Sequence, residues 1–203
     1  MSRLSTFRQQ PAIFRHVARV RLSTPSVVES SLALVDREGF DALSLSAVAT
    51  ELGVGPSALY THITGLEDLQ YLVAVASTSN LVASVRSAAI GTSGSRALMA
   101  MGAAYRSFSL DHPGQFASTL LPPRSNDDEL ARQNRDLLEI FIAVFAAMDM
   151  SDDDAYLSAR ATRSALHGFL ALEHNSGTSA GHGDEYGHLL RALERGLFEA
   201  KVN

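Results

Sequence analysis

The amino-acid sequence predicts an all-α protein, and three observations carry that expectation. Residues 44–69, SLSAVATELGVGPSALYTHITGLEDL, read as two short helices joined by a glycine-marked turn and followed by the start of a third. Beyond Leu66, apolar side chains recur at steps of three and four in successive segments, bounded by Gly, Pro or acidic helix starts. The 203 residues are 46% apolar with a mean hydropathy of +0.04, which gives a soluble globular chain enough material for a sizeable core.

Composition excludes several classes. The absence of cysteine rules out disulfides, thiol nucleophiles and thiolate metal sites, and fits a reducing, cytoplasmic setting. The longest apolar runs, such as residues 140–148, IFIAVFAAM, are too short to span a bilayer, so no membrane partner is expected. A net charge of -5 argues against a nucleic-acid partner only when read as one number. Residues 1–23 carry Arg3, Arg8, Arg15, Arg19 and Arg21 without an acid, a charge of +5, whereas residues 24–70 set Arg37 against seven acids, a charge of -6. The remaining residues contribute -4.

Residues 1–23 read as a basic arm, not a transit peptide. Its arginines either reach phosphates and a minor groove or belong to a tail without fixed contacts, and the sequence leaves both open. Thr24-Pro25 opens the first helix, with Thr24 as the capping hydroxyl, and Val28, Leu32 and Val35 share one face before Gly39 ends it. Phe40 and Leu43 close a small core from the connection. Ser44 caps the next helix, Leu45, Val48 and Leu52 lie on its inner side, and Gly53 supplies the left-handed terminus. Gly55-Pro56 starts a second helix in which Leu59 and Ile63 are buried four apart. Pro56, Ser57, Ala58, Tyr60, Thr61 and His62 are left on its exposed side, the part of a helix-turn-helix that enters a major groove. Ser46 and Thr64 complete the expected DNA-facing set.

The order LGVGPSALYTHI followed by a Glu-Asp-Leu helix start resembles the N-terminal domain of TetR/AcrR-type one-component transcription regulators, over about forty-five residues from Pro25 to Leu69. The resemblance implies that Ser44, Tyr60 and His62 touch phosphates and that Pro56, Ser57, Ala58 and Thr61 read bases. For His62 a hydrogen-bonded packing role between Tyr60 and Ile63 is the alternative. Family members often carry a basic residue at the position of Thr61 and a Lys at that of Leu66, so this chain departs from the pattern at two phosphate contacts.

From Leu66 a long helix through Leu69, Leu72, Val73, Ala76 and Val82 toward Arg86 links the motif to the rest, with Glu67 and Asp68 against its N-terminal dipole. Residues 91–95, GTSGS, lack the Lys-Ser/Thr ending of a phosphate loop and read as a linker. Leu98, Met101, Tyr105 and Phe108 gather on one helical face until His112-Pro113-Gly114 breaks it. Phe116, Leu120 and Leu121 make a short further helix. Asp127, Asp128 and Glu129 open a helix bearing Leu130, Leu137, Phe141, Phe145 and Met148, and Ser151 caps the next, roughly 153–174. Both acidic runs are helix starts in place of cation sites. The run His167-Gly168-Phe169 with Leu172-Glu173 resembles the C-terminal domain of a TetR-type subgroup carrying Trp-x-x-x-His-Gly, although this chain has no Trp. Gly168 in mid-helix serves close approach of another helix or a ligand. The last helix shows Leu189, Leu193, Gly196, Leu197 and Ala200.

Residues 177–181, GTSAG, match a nucleophile elbow, with His182 and Asp184 nearby, but a helix precedes them where the elbow needs a strand. His167 and His174 are two turns apart without HExxH, paired carboxylates or a third ligand. No catalytic residue, metal or cofactor is therefore expected. Met101, Tyr105, Phe108, Phe116, Phe141, Phe145 and His167 either line a cavity for a small, largely apolar effector or form ordinary core, and spacing alone does not separate the two. Leu166, Phe169, Leu170, Leu189, Leu193 and Leu197 are the expected homodimer interface. The expected organisation is a basic arm, 1–23, a three-helix DNA-binding domain, 24–70, and a helical ligand-binding and dimerisation domain, 71–203. The function that follows is a ligand-responsive regulator, a repressor by family resemblance, binding palindromic operator DNA as a dimer. The alternative is a helical small-molecule-binding protein with weak or no specific DNA binding.

Overall fold

A computed structural model describes residues 22–126, 128–176 and 184–199. Within them the chain forms nine α-helices and no strand, as the periodicity requires. Most of the basic arm, Asp127, the GTSAG stretch and Ala200 lie outside the described residues.

Helix α1, Thr24–Glu38, is capped one residue earlier than expected. Ser23 Oγ accepts from the Ser26 N–H, and Ser26 Oγ accepts from the Ser23 N–H at 2.9 Å, a reciprocal cap that satisfies two end groups. Thr24 is thereby freed, and its hydroxyl donates to the His62 carbonyl at 3.1 Å, fastening the start of α1 to the end of the helix-turn-helix. A 3-10 turn, Phe40–Ala42, leads to α2, Leu45–Leu52, capped by Ser44 and ended by Gly53 at φ 65. Helix α3, Pro56–Leu59, is shorter than the expected helix through Ile63. The Thr61 hydroxyl donates to the Ala58 carbonyl at 2.7 Å and competes there with the main chain. The chain continues in hydrogen-bonded turns, and Ile63 N–H still reaches the Leu59 carbonyl at 3.0 Å, so both apolar side chains remain buried.

Helix α4, Leu66–Ala89, holds 24 residues and is therefore about 36 Å long. That length lets it serve two cores. Leu69 and Val73 join Val27, Leu34, Val35, Val48, Leu59 and Ile63 in the first. Leu81, Val82 and Val85 join residues of α5, Gly94–Asp111, α6, Pro113–Ser118, α7, Glu129–Ala146, α8, Asp152–Ser176, and α9, Glu185–Glu199, in the second. Three expectations shift. Gly94 and Ser95 belong to α5 and not to the linker before it; α6 starts at Pro113 and ends before Leu120, which is exposed; and Met148 is buried from the turn after α7. Asp128 caps α7 through the Ala131 N–H at 2.8 Å, and Ser151 caps α8 through the Asp154 N–H at 3.2 Å.

Two glycines set how close the helices come. Opposite Gly102 of α5 the Leu190 side chain of α9 occupies the space a Cβ would need, 2.3 Å away, and Tyr186 Oη donates to the Gly102 carbonyl at 2.8 Å. Gly114 of α6 sits on the end of α1, where a Cβ would lie 1.9 Å from the Val35 carbonyl oxygen. Asp36 completes that joint: Oδ1 accepts from the Gln115 N–H at 3.0 Å, and Oδ2 accepts from Gln115 Nε2 at 2.6 Å and pairs with His112 Nδ1 at 2.8 Å. Gln115 Oε1 in turn accepts from Asn80 of α4 at 2.9 Å. Gly168, by contrast, has nothing within 4 Å of where a Cβ would stand, so among the described residues no other helix makes the expected close approach.

Gly114→Ala should destabilise the protein by about 2–3 kcal/mol, because the methyl group meets rigid backbone. Gly196→Ala, at an open helical position, should be neutral or stabilise by up to about 1 kcal/mol. Denaturant unfolding of the two variants checks this, and equal stabilities would contradict the docking of α6 on α1.

Candidate functional site

The nine residues expected to face DNA all fall on the start of α2, on α3 and on the turns after it. Ser46, Pro56, Ser57, Tyr60, Thr61 and Thr64 are exposed, and Tyr60 is 59% exposed, a large fraction for an aromatic ring that the chain could have buried. Ser44, Ala58 and His62 are half-buried. The Ser44 hydroxyl is already engaged as an N-cap to Ala47 at 3.3 Å, and Thr61 gives its proton to Ala58, so Thr61 offers outward a methyl group and acceptor lone pairs. His62 is tied to α1 through its carbonyl. The only basic side chain between residues 22 and 70 is Arg37, and it is engaged by Glu38 and Glu51. Hydroxyls and helix-start N–H groups are therefore what this face has for phosphates.

In the second core, Met101, Tyr105, Phe108, Phe116, Phe141 and Phe145 are at most 5% exposed and pack within one cluster, which is core packing and not the lining of an open cavity. His167 is different. Its Nδ1 lies 3.1 Å from Tyr105 Oη, and its ring stacks on Phe116 with centroids 4.5 Å apart. Burial, with the Arg163 charge beside it, holds its pKa down to about 4, so the imidazole is neutral at physiological pH. Its buried Nε2 has no hydrogen-bond partner. On its outer side is a cleft of about 550 Å³ between α7 and α8, lined by Asn134, Arg135, Leu138, Tyr156, Arg160, Arg163, Ser164, His167 and Gly168. Of those, only His167, and Gly168 as a point of close approach for a helix or a ligand, had been singled out from the sequence. Arg160 and Arg163 are three apart on α8 and Tyr156 precedes Arg160 by four, a readable helical stripe, but its pairing with Asn134 and Arg135 across helices is a tertiary fact. His174 joins two carbonyls, Leu170 O and Ser109 O, each at 2.8 Å, as its place near a helix end suggests.

The expected interface residues divide. Leu166 and Leu170 are completely buried in the chain's own core and have no surface left for a partner, because they point inward beside Tyr105 and Phe141. Phe169, Leu189, Leu193 and Leu197 are partly buried. Sequence reasoning missed Leu157 and Leu172, which are 62% and 71% exposed and stand with Ala161, Ser164 and Gly168 along one face of α8 at steps of four and three.

A family model described as tetracyclin repressor-like, C-terminal domain, matches residues 98–195. The chain is 35% identical over 161 residues to Rv0681, an HTH-type transcriptional regulator of Mycobacterium tuberculosis, covering 78% of this chain and 74% of that one. Among solved structures it is similar to BioQ with its natural double-stranded DNA operator, at a TM-score of 0.64 and 21% identity over 87% of this chain and 98% of that one. It is also similar to a TetR variant of Acinetobacter baumannii in complex with minocycline, at 0.68 and 17% over 90% and 100%. The two structural likenesses carry the fold, and the curated relative carries the family: this chain belongs to the TetR family of HTH-type transcriptional regulators.

Proposed function

We propose that the protein is a repressor that binds palindromic operator DNA as a homodimer and is released by a small-molecule effector held in the helical part, residues 71–203. The observation that carries the DNA reading is the surface of α3 and its following turn. Leu59 and Ile63 anchor it from within, while Ser57, Tyr60 and Thr61 stand free on the outside. In this reading Pro56, Ser57, Ala58 and Thr61 meet bases, and Ser44, Ser46, Tyr60, His62 and Thr64 meet phosphates and sugars. The similarity to a structure of BioQ on its operator supports a DNA partner, and that to TetR with minocycline supports an effector. A regulator of this kind works in the cytoplasm; among the described residues no helix is long and apolar enough to cross a membrane.

The second partner is another copy of the chain. Leu157 and Leu172 are exposed at the two ends of a stripe of Ala161, Ser164 and Gly168, so two α8 helices can approach closely along it while the leucines close the ends. Partly buried Leu189, Leu193 and Leu197 of α9 and Phe169 of α8 extend the same apolar region. Two recognition surfaces related by a two-fold axis then fit half-sites about one helical turn apart.

Selection from random duplexes should yield a near-palindromic site; sequences without two-fold symmetry, or no enrichment, would favour a helical small-molecule-binding protein with little DNA affinity. Thr61→Ala should alter base preference with little change in the salt dependence of binding. Deleting residues 1–21, which removes the five arginines and keeps the Ser23 cap, should flatten the slope of log affinity against log salt by about 4 to 5 per dimer, provided half of the ten arginines sit on phosphates. An unchanged slope would make the arm a tail. Leu172→Glu should shift sedimentation toward the monomer while leaving the helix content intact, and an unchanged dimer mass would remove this face from the interface.

A further inference from the structure

The cleft between α7 and α8 is chemically one-sided. Arg135, Arg160 and Arg163 line it, and none of the three pairs with a carboxylate among the described residues; the ion pairs that arginines do form, at Arg37, Arg106, Arg124, Arg132 and Arg191, lie elsewhere, and Arg86, Arg96 and Arg195, outside the cleft, likewise form none. Their hydrogen bonds go to neutral groups. Arg163 is held in a fork by Asn134, through Oδ1 at 2.6 Å and the carbonyl at 3.3 Å. Arg135 donates to the Asn126 carbonyl at 2.7 Å, and Arg160 reaches Tyr156 Oη at 3.4 Å. Three guanidiniums in one concavity repel one another, and an arrangement held by neutral acceptors keeps their charge uncompensated.

The inner end of the cleft adds a second, independent observation. The Tyr105 hydroxyl lies 3.1 Å from His167 Nδ1, and the Arg163 charge is close to both groups. With Nδ1 accepting, the neutral ring carries its remaining proton on Nε2. That Nε2–H is buried and has no acceptor among the described residues. A buried donor left unmatched is destabilising, and an arriving acceptor removes that cost.

We propose that this cleft binds the oxyanion head of a small organic acid, a carboxylate or a phosphate monoester, with Arg163 and His167 at the inner end and Arg160 and Arg135 nearer solvent. The guanidiniums supply planar paired donors suited to either head, and His167 Nε2–H supplies a neutral one. Leu138 and the Tyr156 ring leave an apolar wall for the organic body, and about 550 Å³ suits a compact metabolite. This places the effector one layer outside the aromatic cluster and gives it a negative charge, in place of a largely apolar molecule within the cluster.

The proposal deepens the effector reading, and its test uses no DNA, so that failure of this site and failure of operator recognition are separable. Isothermal titration of the full-length protein with benzoate, phenyl phosphate and neutral benzamide compares head groups on one ring. One or both anions should bind at least tenfold more tightly than benzamide, and the preference between benzoate and phenyl phosphate identifies the head. Arg160→Gln, at an exposed position, should weaken the preferred anion at least tenfold without changing the helix content, and Arg163→Gln should weaken it further. In nitrogen-15 spectra the His167 Nε2–H resonance should shift on addition of the anion. Absence of binding by both anions, equal affinity for benzamide, or unchanged affinity in Arg160→Gln with an unshifted His167 resonance would each overturn the assignment.

Discussion

The carboxylate of Asp36 is the contact on which the relation between the two cores depends. It stands at the end of α1 and takes the Gln115 N–H, the Gln115 side chain and His112, all from the first turn of α6 and the residue before it. A carboxylate accepting several hydrogen bonds at a helix start is among the stronger polar contacts available, since both the bonds and the helix dipole favour the charge. Gly114 makes it possible by letting the α6 backbone settle on the Val35 carbonyl. Helix α6 therefore does not shift without displacing α1, and α1 is in turn fastened to the helix-turn-helix by Thr24 and the His62 carbonyl.

Contacts run without a gap from the proposed ligand cleft to the proposed DNA face. His167 borders the cleft, stacks on Phe116 of α6, and α6 grips Asp36 of α1. A second tie is Arg124, after α6, which donates to the Glu67 carbonyl at 3.0 Å, pairs with Asp68 at 3.5 Å and lies 4.0 Å over the Tyr71 ring at the start of α4. Helix α4 itself passes from one core into the other. Contiguity is not coupling, since coupling requires an element with two arrangements that both sites bias. Helix α6, only six residues long and held largely by polar contacts, is the element of this chain suited to that part.

Much of this fold was legible in the sequence because the signals were local. Ser44, Gly53 and the Gly55-Pro56 pair each act within a few residues, and the three-and-four spacing of Leu98, Met101, Tyr105 and Phe108 shows a buried face directly. The misplacements came where a side chain had a distant choice. Thr24 gave up the cap of α1 to Ser23 because the His62 carbonyl, 38 positions away, claims its hydroxyl. Asp36, His112 and Gln115 look like ordinary surface residues until the fold brings them together. The aromatics expected around a ligand were correctly placed on one face, yet periodicity registers burial and not whether the buried volume is filled. In the candidate cleft only His167 and Gly168 stood out beforehand, since the arginines of α8 meet Asn134 and Arg135 of α7 only through tertiary packing. On α8 the leucines at 166 and 170 were credited to a partner although they belong to the chain's own core, while Leu157 and Leu172 are the ones left outside.

The central claim is that the Asp36 joint fixes the DNA-reading unit relative to the helical core. The chain has no cysteine of its own, so spin labels at Thr50→Cys on α2 and Glu139→Cys on α7, both exposed positions, report one distance when labelled protein is diluted with unlabelled protein. Pulsed electron-electron resonance should give a single narrow distance in the parent chain and a broad distribution after Asp36→Ala, with helix content unchanged. The same narrow distance in both proteins would contradict the claim.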